Sequence, residues 1–118
     1  MLRQHHRPTL ALRAERRGGA VVLRPVGEVD LSTHPILKTG LAEALKVSQR
    51  VLVDMTDVAY IDSIGVKTLL RYHEKASMLG ARLALTNPSA LLRSLIDILD
   101  RDHSLTVFRS LDAALQDP

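Results

Sequence analysis

A chain of 118 residues, 46% hydrophobic and 25% charged, has the make-up of one soluble globular domain with a single core. With no cysteine, no tryptophan, one phenylalanine and two tyrosines, it excludes disulfides and thiol chemistry and argues against base stacking on single-stranded nucleic acid. The net charge of +3 is uneven, and its distribution argues against a nucleic-acid-binding domain.

Within the first 17 residues Arg3, Arg7, Arg13, Arg16 and Arg17 are opposed by Glu15 alone, a balance of +4; the remaining 11 basic and 12 acidic side chains give −1. The basicity thus belongs to one end, as in a solvated leader. Residues 1–8 are expected to form a flexible basic arm and 9–118 a single domain. No apolar run approaches the ~20 residues that span a bilayer, and no uninterrupted apolar stretch follows the N-terminal basic residues as in a secretory signal. A cytoplasmic location without membrane contact is therefore expected.

In chain order, Thr9–Arg16 alternates imperfectly and is predicted to be an edge strand, with Arg17-Gly18-Gly19 as a turn and Ala20–Val26 as its hairpin partner. Pro25 lacks a backbone donor, so that strand should end or lie at an edge there. Gly27-Glu28-Val29-Asp30 reads as a connector. Ser32 or Thr33 is then placed to cap a helix with Pro35 in its first turn and a stripe of Ile36, Leu37, Leu41, Ala44 and Leu45. Arg50–Met55 has the pattern of a strand buried on both faces, and Thr56–Ile61 reads as an irregular link.

From Gly65 to Leu79 the pattern is helical, with Val66, Leu69, Leu70, His73, Ala76 and Ser77 on one face and Gly80 as the stop. Arg82–Thr86 is another buried strand. Asn87-Pro88-Ser89 caps a helix with apolar positions Leu91, Leu92, Leu95, Ile98 and Leu99. Leu105–Phe108 is a last short strand, and Ser110 caps a closing helix from Leu111 to Gln116, with Leu111, Ala114 and Leu115 inward. Strands alternating with helices after an opening hairpin predict an α/β fold, with a central, mostly parallel sheet of four to five strands and about four helices packed on it.

In a parallel sheet the strand-to-helix junctions lie at the carboxyl edge, where ligands and partners bind. The most unusual junction is Tyr60-Ile61-Asp62-Ser63-Ile64-Gly65-Val66. Ser63 falls at or just before a helix N-terminus, which offers two readings: a plain helix cap, or a phosphate acceptor whose phosphate the free amides and the positive end of the helix dipole would hold. Phosphorylation would add about −1.5 to −2 charges at pH 7 beside Asp62 and repel an apolar or acidic partner without unfolding the domain.

Catalytic readings have little support. No G-x-S-x-G elbow surrounds Ser63, His73 is ten residues into the helix, and His5 and His6 lie in the arm. Neither G-x-x-x-x-G-K-[ST] nor G-x-G-x-x-G is present, and His5, His6, His34, His73 and His103 lack metal-ligand spacing. No enzyme activity, cofactor or metal is expected. Strands between the helices and a slightly acidic domain also leave no base-reading helix.

Gly27-Glu28-Val29-Asp30, Val51-Leu52-Val53-Asp54-Met55 and Tyr60-Ile61-Asp62-Ser63-Ile64-Gly65-Val66 together resemble the STAS domain of bacterial anti-sigma-factor antagonists. The agreement continues through Gly80, Asn87-Pro88 and Ser110-Leu111-Asp112-Ala113-Ala114-Leu115, covering about residues 9–116. The resemblance implies a STAS fold and a partner switch. The unphosphorylated antagonist binds an anti-sigma factor that is also a GHKL-type serine kinase, releasing the sigma factor; the kinase phosphorylates the serine after the Asp, and a PPM-type phosphatase restores it. That serine is Ser63. The implied partner surface takes in Glu28, Asp30, Asp62, Ser63, Ile64 and Gly65, with Lys67 and Arg71 on the following helix; Asp54 ends the central strand nearby. Many family members carry Ser where this chain has Ile64, so Ser63 is the one acceptor in the turn. A monomer is expected. The alternative is a STAS protein that never cycles phosphate, acting as a scaffold or as a subunit of a stress-signalling or lipid-transport assembly.

Overall fold

A computed structural model describes residues 9–117; the basic arm expected at 1–8 lies outside the described residues. Ten elements follow in order: β1 (Leu10–Arg17), β2 (Ala20–Val29), α1 (His34–Val47), β3 (Arg50–Asp54), β4 (Val58–Ile61), α2 (Ser63–Met78), β5 (Arg82–Thr86), α3 (Ala90–Leu99), β6 (Thr106–Phe108) and α4 (Leu111–Gln116). The sheet runs β1-β2-β3-β5-β6, with β4 also pairing β2. Among the described residues only the β1/β2 hairpin is antiparallel.

The apolar runs in β2, β3 and β5 follow from helices on both faces of the sheet. Val21, Leu23, Val51, Val53, Leu83 and Leu85 belong to the larger core, with Leu37 and Leu41 of α1, Val66 and Leu69 of α2, and Leu92 and Ile96 of α3. The alternate residues Ala20, Val22, Leu52 and Ala84 belong to a smaller core with Ala114 of α4, against which Phe108, Leu111 and Leu115 pack. Each fully buried Leu or Val is worth about 1.5–3 kcal/mol of transfer free energy.

Several expectations need correction. The second strand does not stop at Pro25 but continues to Val29, so Gly27, Glu28 and Val29 are strand rather than connector. Its partners explain how. On one side β2 pairs with β1 throughout Ala20–Gly27. On the other, β3 pairs with Val21–Leu23 and β4 with Gly27–Val29. Pro25 falls in the gap between these two ladders. The amide of Gly27 points to β4, donating to Asp57 O at 3.1 Å, and that of Glu28 points to β1, donating to Thr9 O at 2.8 Å. By alternation, the N–H that Pro25 lacks would have faced the gap, where it would have had no strand partner.

The link read at Thr56–Ile61 contains a strand, β4, which brings the sheet to six. Its register shifts between Gly27 and Glu28, where Gly27 has φ +121° and a side chain would run into Thr9 O; glycine alone suits this bulge. On α2 the buried stripe is Gly65, Val66, Thr68, Leu69, Tyr72 and Ala76, not one that includes His73 and Ser77. The stripe is rotated because Gly65 draws the first turn against β2 and β4. On α1, Ile36 is exposed, and on α3 Leu91 and Ile98 are exposed while Leu92 and Ile96 are buried.

At the carboxyl ends of β3 and β5, Asp54 is buried. Its Oδ2 accepts from Arg24 Nε and pairs with Nη2, each at 3.1 Å. Its Oδ1 accepts from Thr56 Oγ1 at 2.6 Å and Thr86 Oγ1 at 3.2 Å. Asn87 Nδ2 donates to Thr56 Oγ1 at 3.0 Å and extends the network to the β5–α3 loop. Burial alone would raise the Asp54 pKa, but the hydrogen bonds from Thr56, Arg24 and Thr86 outweigh it and hold the carboxyl below its ordinary value. A carboxyl depressed in the folded state stabilises the fold above its unfolded pKa of about 3.9 and loses that contribution as pH falls through the folded value. Asp54→Asn should therefore lower the urea midpoint at pH 7. It should also flatten, though not abolish, the fall in midpoint below about pH 4, because Asp30 and Asp100 are shifted in the same direction. An unchanged acid profile in the variant would exclude Asp54 as a source of the acid sensitivity.

Candidate functional site

The turn between β4 and α2 is fixed before the helix starts. Asp62 N donates to Val29 O at 3.2 Å, tying the end of β4 to the end of β2. Asp62, not Ser63, is the N-cap: its backbone is extended, and its Oδ1 accepts from the amides of Ile64 at 3.0 Å and Gly65 at 3.1 Å. Val66 N donates to Asp62 O at 3.1 Å and starts the helical ladder. An aspartate in this position stabilises a helix by about 1 kcal/mol.

Ser63 is the first residue of α2 and is exposed. Its hydroxyl has no hydrogen-bond partner among the described residues. The plain-cap reading of Ser63 is thus replaced by one in which Asp62 caps and Ser63 is presented. The expectation that free amides at this helix end would hold a phosphate also changes, because the side chain of Asp62 already occupies those of Ile64 and Gly65.

Gly65 is buried for a steric reason. A Cβ there would lie 2.5 Å from Ile61 Cγ1, 2.8 Å from Val29 Cγ1 and 2.9 Å from Ile61 Cδ1. The first turn of α2 rests on the ends of β4 and β2 through this missing methyl. Ile64 lies beside Ser63. It is half-buried in a shallow groove of about 170 Å³ between α1 and α2, lined also by His34, Lys38, Lys67, Thr68 and Arg71.

The remaining expected residues occupy two neighbouring places. Glu28 is half-buried within β2, in register with Tyr60 of β4. Asp30 organises the β2–α1 loop: its Oδ1 accepts from Ser32 Oγ at 2.8 Å, Ser32 N at 2.9 Å and Thr33 N at 3.1 Å. Thr33 returns the contact, accepting from Asp30 N at 3.0 Å and donating to Glu28 O at 2.7 Å. Thr33 occupies the N-cap position of α1 without making a side-chain cap bond, because its hydroxyl is committed to this loop. The hydrogen bond from the Ser32 hydroxyl, followed by the backbone amides of Ser32 and Thr33, holds the Asp30 carboxyl below its ordinary pKa.

Ile64, Lys67 and Arg71 therefore come together beside Ser63, Asp62 and Gly65 build the turn, and Glu28 and Asp30 lie on the adjoining strand end and loop. The sequence reading missed the contribution of α1, His34 and Lys38; the proximity of two helix faces distant in sequence has no local signal. It also missed a second groove, about 410 Å³, where exposed Tyr60 of β4 meets exposed Leu91 and Ile98 of α3. Among the described residues no group of three or more His, Asp or Glu could hold a metal, and no helix is long and apolar enough to cross a membrane.

A family model described as the STAS domain matches residues 11–114. Among solved structures, the chain is similar to an anti-sigma factor antagonist from Mycobacterium paratuberculosis, with 22% identity and a TM-score of 0.82 over 91% of this chain and 92% of that one. It is similar to the phosphorylated form of the Bacillus cell fate determinant SpoIIAA, with 19% identity and a TM-score of 0.69 over 89% and 96%. A similar fold occurs within the murine anion transporter Solute Carrier 26 family member A9, with 19% identity and a TM-score of 0.71 over 87% of this chain but 18% of the transporter. At these identities the likeness is one of fold. A search of curated proteins finds no match.

Gly65→Ala tests the packing of the turn. Alanine gains roughly 1 kcal/mol of helix propensity, but three side-chain atoms would lie closer to its Cβ than such carbons approach. We expect a net loss of about 1–3 kcal/mol in urea unfolding; a variant as stable as the wild type would show that Ile61 and Val29 yield freely.

Proposed function

The chain belongs to the STAS domain family, and on that premise we propose that it is an anti-sigma-factor antagonist switched by phosphorylation of Ser63. The observation that carries this reading is the presentation of Ser63: exposed, unbonded, and held on a turn whose cap and packing are supplied by its neighbours Asp62 and Gly65. A kinase can reach such a hydroxyl without unfolding the domain.

In this reading the unphosphorylated chain binds an anti-sigma factor that is also a GHKL-type serine kinase, and the sigma factor is released. The contact surface comprises Ser63, Ile64, Lys67 and Arg71, with Glu28 and the Asp30 loop beside them. Transfer of the γ-phosphoryl group of ATP to Ser63 Oγ, with loss of the hydroxyl proton, places about −1.5 to −2 charges at pH 7 at the centre of that surface and weakens the complex. A PPM-type phosphatase hydrolyses the ester and resets the switch. The chain itself acts as a cytoplasmic binding protein, a monomer with a basic arm at residues 1–8 and a domain over 9–118, and not as an enzyme. The occurrence of the fold within an anion transporter favours the other reading, a non-cycling scaffold or subunit of a stress-signalling or lipid-transport assembly; the presented serine favours the switch.

Incubation with the GHKL-type serine kinases of the same genome and ATP should label the wild type on Ser63 and leave Ser63→Ala unlabelled, read by mass spectrometry. Ser63→Asp should bind the labelling kinase at least tenfold more weakly than wild type in calorimetry. Equal affinity would overturn the charge mechanism, and labelling at another residue would overturn the assignment of Ser63.

A further inference from the structure

The turn leaves a phosphate on Ser63 with an unusual problem. At many helix N-termini an anion is held by the first free amides. Here those of Ile64 and Gly65 donate to Asp62 Oδ1 and that of Val66 donates to Asp62 O, which leaves only the amide of Ser63 itself. The Asp62 carboxylate sits one residue from the ester and repels it. Cations must come from elsewhere.

They are available on one side. Residues four apart on a helix are neighbours, which sets Lys67 beside Ser63; three residues from Ile64, it also lines the groove between α1 and α2. Lys38 and Arg71 line the same groove, and no carboxylate does. None of these three cations has an ion pair among the described residues. His34 lines the groove as well, and its Nδ1 is shielded from solvent without a hydrogen-bond partner. The groove is thus a cationic notch without a lining carboxylate, and it is lined by Ile64, the residue next to the acceptor.

We propose that Lys67, backed by Arg71 on the same helix and by Lys38 across the α1–α2 groove, is the binding site for the phosphoryl group on Ser63, so that the modified chain holds its own phosphate against α2 instead of on the helix-end amides. This rests on the reading of Ser63 as the acceptor and adds to it a regulatory contact within the chain. The charged and titratable groups around the phosphate are Asp62 at the cap of α2, Lys67 and Arg71 from α2, His34 and Lys38 from α1, and Glu28 and Asp30 from the end of β2 and its loop. The two sets oppose one another, and Lys67 is the member nearest in helical spacing.

The test uses the full chain with phosphoserine installed genetically at position 63, so it needs no kinase. The second ionisation of the phosphate, near pH 6 in free phosphoserine, is followed by ³¹P NMR. Lys67→Ala should raise it by about 0.15–0.7 pKa unit, the range of an exposed ion pair, and Lys67→Arg should restore the wild-type value. Addition of 0.5 M salt should shrink the difference. In the unphosphorylated chain Lys67→Ala should leave the urea midpoint unchanged, since Lys67 is exposed. Identical phosphate titrations in wild type and Lys67→Ala would overturn this proposal while leaving Ser63 as acceptor; a chain that no kinase labels at Ser63 would instead defeat the reading on which it rests.

Discussion

The fold depends on a single strand serving three partners. β2 is held by β1 on one side and by β3 and then β4 on the other. The change from β3 to β4 happens at Pro25, where the chain has no donor to waste. If β2 ended there, β4 would have no ladder, the bond from Asp62 N to Val29 O would have no acceptor in place, and α2 would start from a loose loop. The extra three residues of β2 therefore position the candidate site, and the last of them, Val29, is fully buried in the main core beneath it.

The carboxylates with depressed pKa values share a structural task. Asp30 gathers the amides of Ser32 and Thr33, Asp54 joins Arg24 to the threonines at the ends of β3 and β5, and Asp100 accepts from the amides of Ser104 and Leu105 after α3. Loops carry backbone donors that no ladder satisfies, and an ionised acid with several lone pairs is an economical acceptor for them. The motif Gly27-Glu28-Val29-Asp30 is explained in these terms by the bulge at Gly27 and the loop lock at Asp30.

Most elements were legible because their patterns are governed by local rules. The caps at Ser89 and Ser110, the stop at Gly80 and the buried runs of β3 and β5 all follow from short-range chemistry and period, and the structure agrees. β4 was not legible: four residues with exposed Ala59 and Tyr60 carry no strand pattern, and their conformation is imposed by pairing with β2. Pro25 misled because the rule about missing donors concerns partners, and partners are not visible in one strand's sequence. At the site, the Asp-Ser-Ile-Gly turn could be located, but not the division of labour within it. Asp and Ser are both good caps, and only the three-dimensional turn decides between them. The groove with α1 required the packing of two helices whose residues are some thirty positions apart.

The capping of α2 by Asp62 has a consequence for how such a chain changes over generations. The exposed side chain of Ser63 makes no hydrogen bond among the described residues, so exchanging it leaves folding nearly untouched, as surface substitutions away from structural contacts do. Asp62 and Gly65, one position before it and two after it, have no such freedom. The demand to fold thus bears on the two scaffold residues of this turn and not on the exposed hydroxyl, which a single codon change can remove or restore. A lineage could silence or regain its modifiable group without ever passing through an unstable intermediate.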